Sequence, residues 1–361
     1  MSAPHVERSP DGEVLWLGNG LLTLGLVPRL GGRLLSLSGA DGREQLWRND
    51  ELLTSDLVPR REHRPHSGEL GDWVNYGGDK TWPAPQGWEH SAQWAGPPDP
   101  VLDSGRYEPE IEVGEDLAVV TLTSGDDPRT GLRFARRFEL RRGRCSYRLE
   151  LTAINTSQRD VRWSLWNVTQ LAGDGAGGTY VSSAAEVTDL LAGTGYPKWT
   201  AEDGRVHVPH QDVVGKLGFP AAEGWLAHVG PGATLTQSFA VDREAEYPDG
   251  GSRVEVWMEH PLPEPLAALG DLDPPARIVE CEVLGPLTAL APGERTTLTL
   301  DCAVTAGDQP VRRVNEWGHW TDDEFVPHAD GVIEAAERVE VRAGRPVALP
   351  PGQWEFVEVN R

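Results

Sequence analysis

Two late segments and one long glycine- and tryptophan-bearing stretch hold the residue types that chemistry on a polar small molecule requires. In RIVECEVL (277–284), two-residue alternation puts Val279, Cys281 and Val283 on one face of a strand and Glu280 and Glu282 on the other. Two strand rises separate those carboxylates by about 7 Å. RVEVWME (253–259) divides in the same way, with Val254, Val256 and Met258 opposite Glu255, Trp257 and Glu259. One sheet face is therefore apolar, and the other presents carboxylates and indole. Positioned carboxylates can move protons or accept hydrogen bonds from hydroxyls, although an antiparallel sheet with one face in water has the same pattern. The stretch NYGGDKTWPAPQGWEH (75–90) adds Asn75, Tyr76, Gly78, Asp79, Lys80, Trp82 and Trp88. Its glycine pair permits close backbone approach and its prolines stiffen the path, so it is expected to meet a ligand by folding over the face that bears Glu280 and Glu282.

Two features of composition point to the same class of ligand. The chain has 14 Trp against 6 Tyr and 6 Phe. Indole favours places where an apolar face meets a polar partner, and a sugar offers C–H faces for stacking together with hydroxyls that need fixed donors and acceptors. Core and rim packing would account for any single Trp equally well. Lysine is rare: among 33 basic residues only Lys80, Lys198 and Lys216 are not arginine. Where Arg is the default cation, a retained Lys marks a place suited to a compact ammonium. All three lie near Gly or Trp, in GGDKTW, GYPKWT and VGKLGF, which brings Trp199 into the candidate set.

The elements that must position these residues are strands. Alternation runs through 13–18, 21–27, 32–38, 117–123, 132–140, 145–153, 161–171, 224–229, 234–240, 253–259, 277–284 and 296–304, with turn signals such as GADG, RRGR, NTSQ and APGE between them. No long stretch keeps a 3.6-residue period, so the chain is predicted to be all-β, a large antiparallel sandwich. Residues 54–109 and 172–223 interrupt the alternation, and long loops in compact domains are usually functional. Residues 1–305 read as one sandwich domain. Residues 306–361 read as a C-terminal appendage packed on it, with a short helix predicted around Gly331–Arg338 and two strand-like runs, VEVRAG and WEFVEV.

Charge and cysteine usage narrow the partners. The net charge of -23 repels phosphate backbones and anionic lipid, so neither nucleic acid nor membrane is expected as a partner. No run approaches the length of a membrane span, mean hydropathy is -0.42, and MSAPHVERSP lacks the basic start and apolar run of an export signal. A cytoplasmic location is expected. Cys145, Cys281 and Cys302 are far apart in apolar stretches and read as buried thiols. GDGAGG (173–178) has no flanking strand and helix to make it a dinucleotide site. HRPH (63–66) and HVPH (207–210) contain the proline that bars a helical metal pair. Neither cofactor nor metal is expected.

The segments GNGLLTLGLVPRLGGRLLSLSGADG (18–42) and RIVECEVLGPLTALAPGE (277–294) resemble the first strands and the late strand, Gly-Pro corner and turn of galactose mutarotase-like (aldose 1-epimerase-like) proteins. NYGGDKTWPAPQ is similar to a motif of an uncharacterised bacterial branch of that superfamily, a domain of unknown function. The resemblance covers most of residues 10–305. It implies an antiparallel β-supersandwich with a concave face that takes a small carbohydrate, and an epimerase reaction in which a His protonates the ring oxygen while a Glu deprotonates the anomeric hydroxyl. Glu282 matches the late-strand carboxylate, with Glu280 second. Where those proteins carry an Asn-His pair before aromatics, this chain reads SLWNVTQL, which places Trp166 and Asn167 there and Gln170 just beyond. Neither indole nor amide donates a catalytic proton, so the acid would have to be Lys80, Lys216, or a histidine such as His207 or His210. Three readings follow: acid/base chemistry of the epimerase type on a sugar, a non-catalytic carbohydrate-sensing or accessory module, and a polysaccharide lyase or glycosidase. The last wants carboxylates flanking a substrate, which neighbours on one strand do not do.

Overall fold

The computed structural model describes residues 2–87, 89–90, 92–334, 338–349 and 354–359. Trp88, one of the candidate ligand residues, lies outside them. Among the described residues two large sheets stack face to face, one of eleven strands and one of ten. The first runs, in spatial order, His5–Arg8, Leu15–Gly18, Leu22–Val27, Arg33–Gly39, Asp79–Ala84, Val161–Ala172, Ile278–Leu284, Val254–Glu259, Gly215–Phe219 and Thr188–Ala192, and Thr288–Leu290 pairs with the start of Val161–Ala172. The second runs Thr200–Glu202, Arg205–Pro209, Gly178–Ser183, Ala222–Gly230, Ala233–Phe239, Arg295–Ala306, Ser146–Asn155, Leu132–Arg141, Leu117–Thr123 and Glu108–Val113. Neighbouring strands within both sheets are antiparallel throughout, as in the second sheet's long pair Leu132–Arg141 and Ser146–Asn155. The predicted all-β antiparallel sandwich is the fold.

Alternation decides which side chains meet between the layers. In Leu132–Arg141 the odd-and-even split buries Leu132, Phe134, Arg136, Phe138 and Leu140 against the first sheet, whose inward set includes Leu165, Val254, Val256, Val279, Cys281 and Val283. Cys145, Cys281 and Cys302 are buried free thiols. One polar network crosses this core. Arg136, fully buried, forms an ion pair with Asp79 and donates to the backbone oxygens of Gly32 (2.8 Å) and Asp79 (3.0 Å). The second Asp79 oxygen accepts from Asn167 Nδ2 (2.7 Å) and Thr169 Oγ1 (2.6 Å), and Gln237 Nε2 donates to Thr169 Oγ1 (3.1 Å). Charges buried this deeply survive only when paired and hydrogen-bonded.

The stretch expected to fold over the sheet instead belongs to it. Asp79–Ala84 is an interior strand in register with Val161–Ala172, pairing Lys80 with Val168 and Trp82 with Trp166. Its other edge meets Arg33–Gly39 only at Leu34 and Asp79, so Pro83 has little ladder to interrupt on that side. Gly77 and Gly78 turn the chain into the sheet with φ of 86° and 78°. A Cβ on Gly78 would sit 2.4 Å from the Leu34 carbonyl oxygen, so this glycine serves backbone packing rather than ligand approach.

Among the described residues after 306, two small sheets of four and three strands enclose their own aromatic core of Phe325 and Phe356, with Trp317, Trp320 and Trp354 packed around it. Gly331–Glu334 pairs as a strand with Arg338–Val341, so the helix predicted around Gly331–Arg338 is a β-ladder at its described residues, and 335–337 lie outside them. Val332 and Ile333 are β-branched, and their alternation fits a strand better than a helix. An ion pair between Arg144 and Glu358 and a Cys145 N–H to His328 carbonyl bond (3.0 Å) tie this unit to the sandwich. Among the described residues no helix is long and apolar enough to cross a membrane.

Candidate functional site

Five neighbouring strands of the first sheet bring their outward residues onto one face, away from the second sheet. Register places Lys80 opposite Val168, Val168 opposite Glu282 and Glu282 opposite Glu255. One step along, Gln170, Glu280, Trp257 and Lys216 form a second row. Residues as far apart in sequence as Val168 and Glu282 thus become lateral neighbours about 5 Å apart at Cα.

Two charged groups sit on this face. In the first, Lys216 Nζ donates to Glu255 Oε2 and Glu282 Oε2, both at 2.8 Å, and lies 4.6 Å from the centroid of the Trp166 ring. Trp166 Nε1 also donates to Glu282 Oε2, at 2.6 Å. In the second, Lys80 Nζ donates to Glu280 Oε1 at 3.3 Å, an oxygen that also accepts from Gln170 Nε2 at 2.7 Å. The Lys80 ammonium lies over the rings of Trp82 (4.8 Å) and Trp73 (5.6 Å). Trp257 Nε1 donates to Glu259 Oε2 at 3.1 Å. Glu255 and Glu282 are essentially inaccessible, whereas Lys216 and Trp257 are half-buried and mark the side open to solvent.

Burial sets the protonation of these groups. It raises the pKa of Glu255 and Glu282, partly opposed by the Lys216 charge. Burial also works against the Lys216 ammonium, but Glu255 and Glu282 together outweigh it and hold its pKa above the ordinary lysine value. Lys80, more deeply buried and facing Glu280 with Arg33 also nearby, goes the other way, its pKa lowered by desolvation. Glu259 is pushed up to about 7 by burial and by the neighbouring Glu280. The native state therefore retains a proton on Glu259 that the unfolded chain releases above its ordinary value of 4.5. Stability from this group is fully present below pH 4.5, falls as pH rises, and is lost by about pH 7. A shift of that size corresponds to roughly 3 kcal/mol. Urea unfolding of the Glu259→Gln variant should accordingly show a flatter stability profile between those limits than wild type, and an unchanged slope would contradict the assignment.

The remaining candidates separate from this face. Asp79 and Asn167 alternate with Lys80 and Trp166 along their strands, so both point inward, Asp79 to Arg136 and Asn167 to Asp79; they are core residues, a correction forced by the two-residue period. Trp82 lies on the site side but is 4% exposed, packed against Trp94 and Trp166, with its N–H donated to Asp103 (2.9 Å). Replacing it should cost packing rather than ligand stacking. Tyr76 is buried in a small cluster with Leu30 and Leu53, its hydroxyl 3.3 Å from His63 Nδ1. Asn75 accepts the Gly77 N–H (3.0 Å) in the turn. Lys198 is exposed, holding Gln211 through its backbone, and Trp199 packs on the main core. His207 belongs to the second sheet, stacked on Tyr180 at 4.3 Å. Two residues outside the candidate set matter: Asp103, which accepts from Trp73 (3.0 Å), Trp82 and Arg33 (2.5 Å), and Asp249, whose carboxyl is raised by burial near Lys216 and Glu255. Asp103 sits in a turn and Asp249 in the irregular one-turn helix Pro248–Gly251, where no period predicts direction.

Solved structures share this architecture at low identity. A galactose mutarotase-like protein from Lactobacillus casei aligns with a TM-score of 0.51 at 13% identity, covering 81% of this chain and 99% of that one. A provisionally named aldose 1-epimerase from Klebsiella pneumoniae aligns with a TM-score of 0.53 at 13% identity, covering 81% and 79%. A TPR-domain containing protein from Parabacteroides distasonis aligns with a TM-score of 0.55 at 15% identity, and this chain spans 49% of its length while 84% of this chain is covered. No curated protein sequence is significantly similar to the chain. The fold is the galactose mutarotase-like sandwich. Within it, the chain belongs to the DUF4380 family, a domain of unknown function whose sequence profile matches residues 13–301.

Proposed function

We propose that this chain binds a small carbohydrate on the face bearing Lys216, Trp257, Glu280 and Glu282, and carries out proton transfer of the aldose 1-epimerase type there. One observation supports this above the others: two of the three lysines converge with paired carboxylates and indoles on one sheet face, where Glu282 Oε1 and Gln170 Oε1 are buried without a hydrogen-bond partner. Orphaned acceptors at a buried site are costly, and sugar hydroxyls are donors of the right kind. Glu282, raised by burial, is the candidate base. Lys216 is held charged by its two carboxylates and is a poor acid, so it acts as a donor to hydroxyls.

A non-catalytic carbohydrate-sensing module is the second reading. It is favoured by Trp166, whose indole stands near the place expected of an acid histidine and whose N–H is taken up by Glu282. Saturation-transfer NMR with neutral hexoses and uronic acids tests binding, and polarimetry on fresh anomers tests interconversion. Interconversion lost on Glu282→Gln is the expected result. Binding without interconversion would establish the module instead, and the absence of binding to any neutral or acidic sugar would remove both.

A further inference from the structure

The epimerase-type reading leaves its proton donor unassigned, and the neighbour of Glu282 across the ladder supplies one. Glu255 and Glu282 are directly opposed on adjacent strands, both reach the same Lys216 Nζ with their Oε2 atoms at 2.8 Å, and both leave Oε1 buried and unpartnered. Gln170 on the same face leaves a third buried oxygen unpartnered. Around the single ammonium stand Glu255, Glu282 and the half-buried Asp249, with Glu280 two residues from Glu282 on the same face and the Trp166 N–H on Glu282 alone. Two carboxylates sharing a dry site with one lysine cannot both ionise cheaply. The donors are unequally distributed: Glu282 accepts from Lys216 and Trp166 and so best carries the negative charge, whereas Glu255 accepts from Lys216 alone and faces the acidic Asp249.

We propose that Glu255 holds a proton at neutral pH and is the proton donor of this site, with Glu282 its acceptor partner. The inference rests on the epimerase-type reading for its role in chemistry, but the location of the proton stands apart from it. In the reaction, the Glu282 carboxylate takes the proton of the anomeric hydroxyl, whose electron pair becomes the carbonyl. The bond from the anomeric carbon to the ring oxygen breaks, and that oxygen takes the proton of Glu255. Closure on the opposite face reverses both transfers and restores the starting protonation. A donor and an acceptor side by side suffice because the two sugar oxygens are borne by the same carbon.

Infrared difference spectroscopy of the full chain without sugar, at pH 7, reads the proton directly. The wild-type minus Glu255→Gln spectrum should contain a neutral-carboxyl band, which Glu282→Gln retains; Glu259 contributes its own band to both sides of the difference and cancels. Exchange NMR between glucose or galactose anomers reads the role, and Glu255→Gln should slow interconversion by about 10² to 10⁴-fold while saturation-transfer contacts persist. No neutral-carboxyl band lost on Glu255→Gln overturns the proposal. Interconversion by that variant at the wild-type rate, or sugar binding by wild type without interconversion, overturns the donor role. A band assigned to Glu255 in a protein that binds no sugar supports the location of the proton and counts against the carbohydrate reading alone.

Discussion

Replacing Arg136 with Met is expected to destabilise the protein by about 3–5 kcal/mol, the penalty for removing one partner of a buried ion pair. Arg136 and Asp79 lie between the sheets with essentially no solvent access, so the variant strands a carboxylate that retains only the amide of Asn167 and the hydroxyl of Thr169. The same substitution also releases the Gly32 and Asp79 backbone oxygens that the guanidinium bridges. Adding Asp79→Leu to Arg136→Met should recover part of the loss, because an apolar pair of similar volume removes the uncompensated charge. Urea denaturation of the three proteins measures this; a single-variant loss below 1 kcal/mol would show that the network contributes little beyond packing.

Lys216→Met is expected to produce a loss of comparable size, about 3–5 kcal/mol at pH 7, with a marked pH dependence. Lys216 is the shared donor of Glu255 and Glu282. Without it, burial raises both carboxyls further above the ordinary carboxylate value, so the native state binds more protons than the unfolded chain at neutral pH. Stability must then rise as pH falls toward the unfolded carboxylate range and decline as pH rises through the folded values. Recovery of most of the lost stability by pH 5 is the predicted outcome in chemical denaturation, and a pH-independent deficit would mean that packing on Trp166, not charge, is what Lys216 provides. Lys198→Met serves as the control, since that side chain is exposed and should change stability by no more than about 0.5 kcal/mol.

The strands from Leu15–Gly18 through Arg295–Ala306 that alternate apolar and polar residues were legible one by one, and RIVECEVL and RVEVWME correctly assigned Glu280, Glu282, Glu255 and Trp257 to one face. The strand Asp79–Ala84 was not legible. All six of its residues are buried, Lys80 on one side and Asp79 on the other, so no polar period survives, and Pro83 with the glycine pair mimics a loop. Asp79 and Asn167 were misdirected for the related reason that a polar residue in a double-layered sheet can satisfy its hydrogen bonds in the core as well as at a site. Trp82, likewise, differs from a stacking platform only in having Trp94, Trp166 and Asp103 around it.

What the amino-acid sequence determines by itself is set by local, periodic physics: side chains two apart share a face, so composition and alternation suffice for an antiparallel β-sandwich and for the polarity of each strand's two sides. Which strands lie side by side is not local. The partnership of Lys216 with Glu255 and Glu282, of Lys80 with Glu280, and of Arg136 with Asp79 depends on strand order and register across separations of 39 to 200 residues. Those choices are made by the burial of two whole sheet faces against each other, and by the requirement that every charge carried inside find its counterpart there.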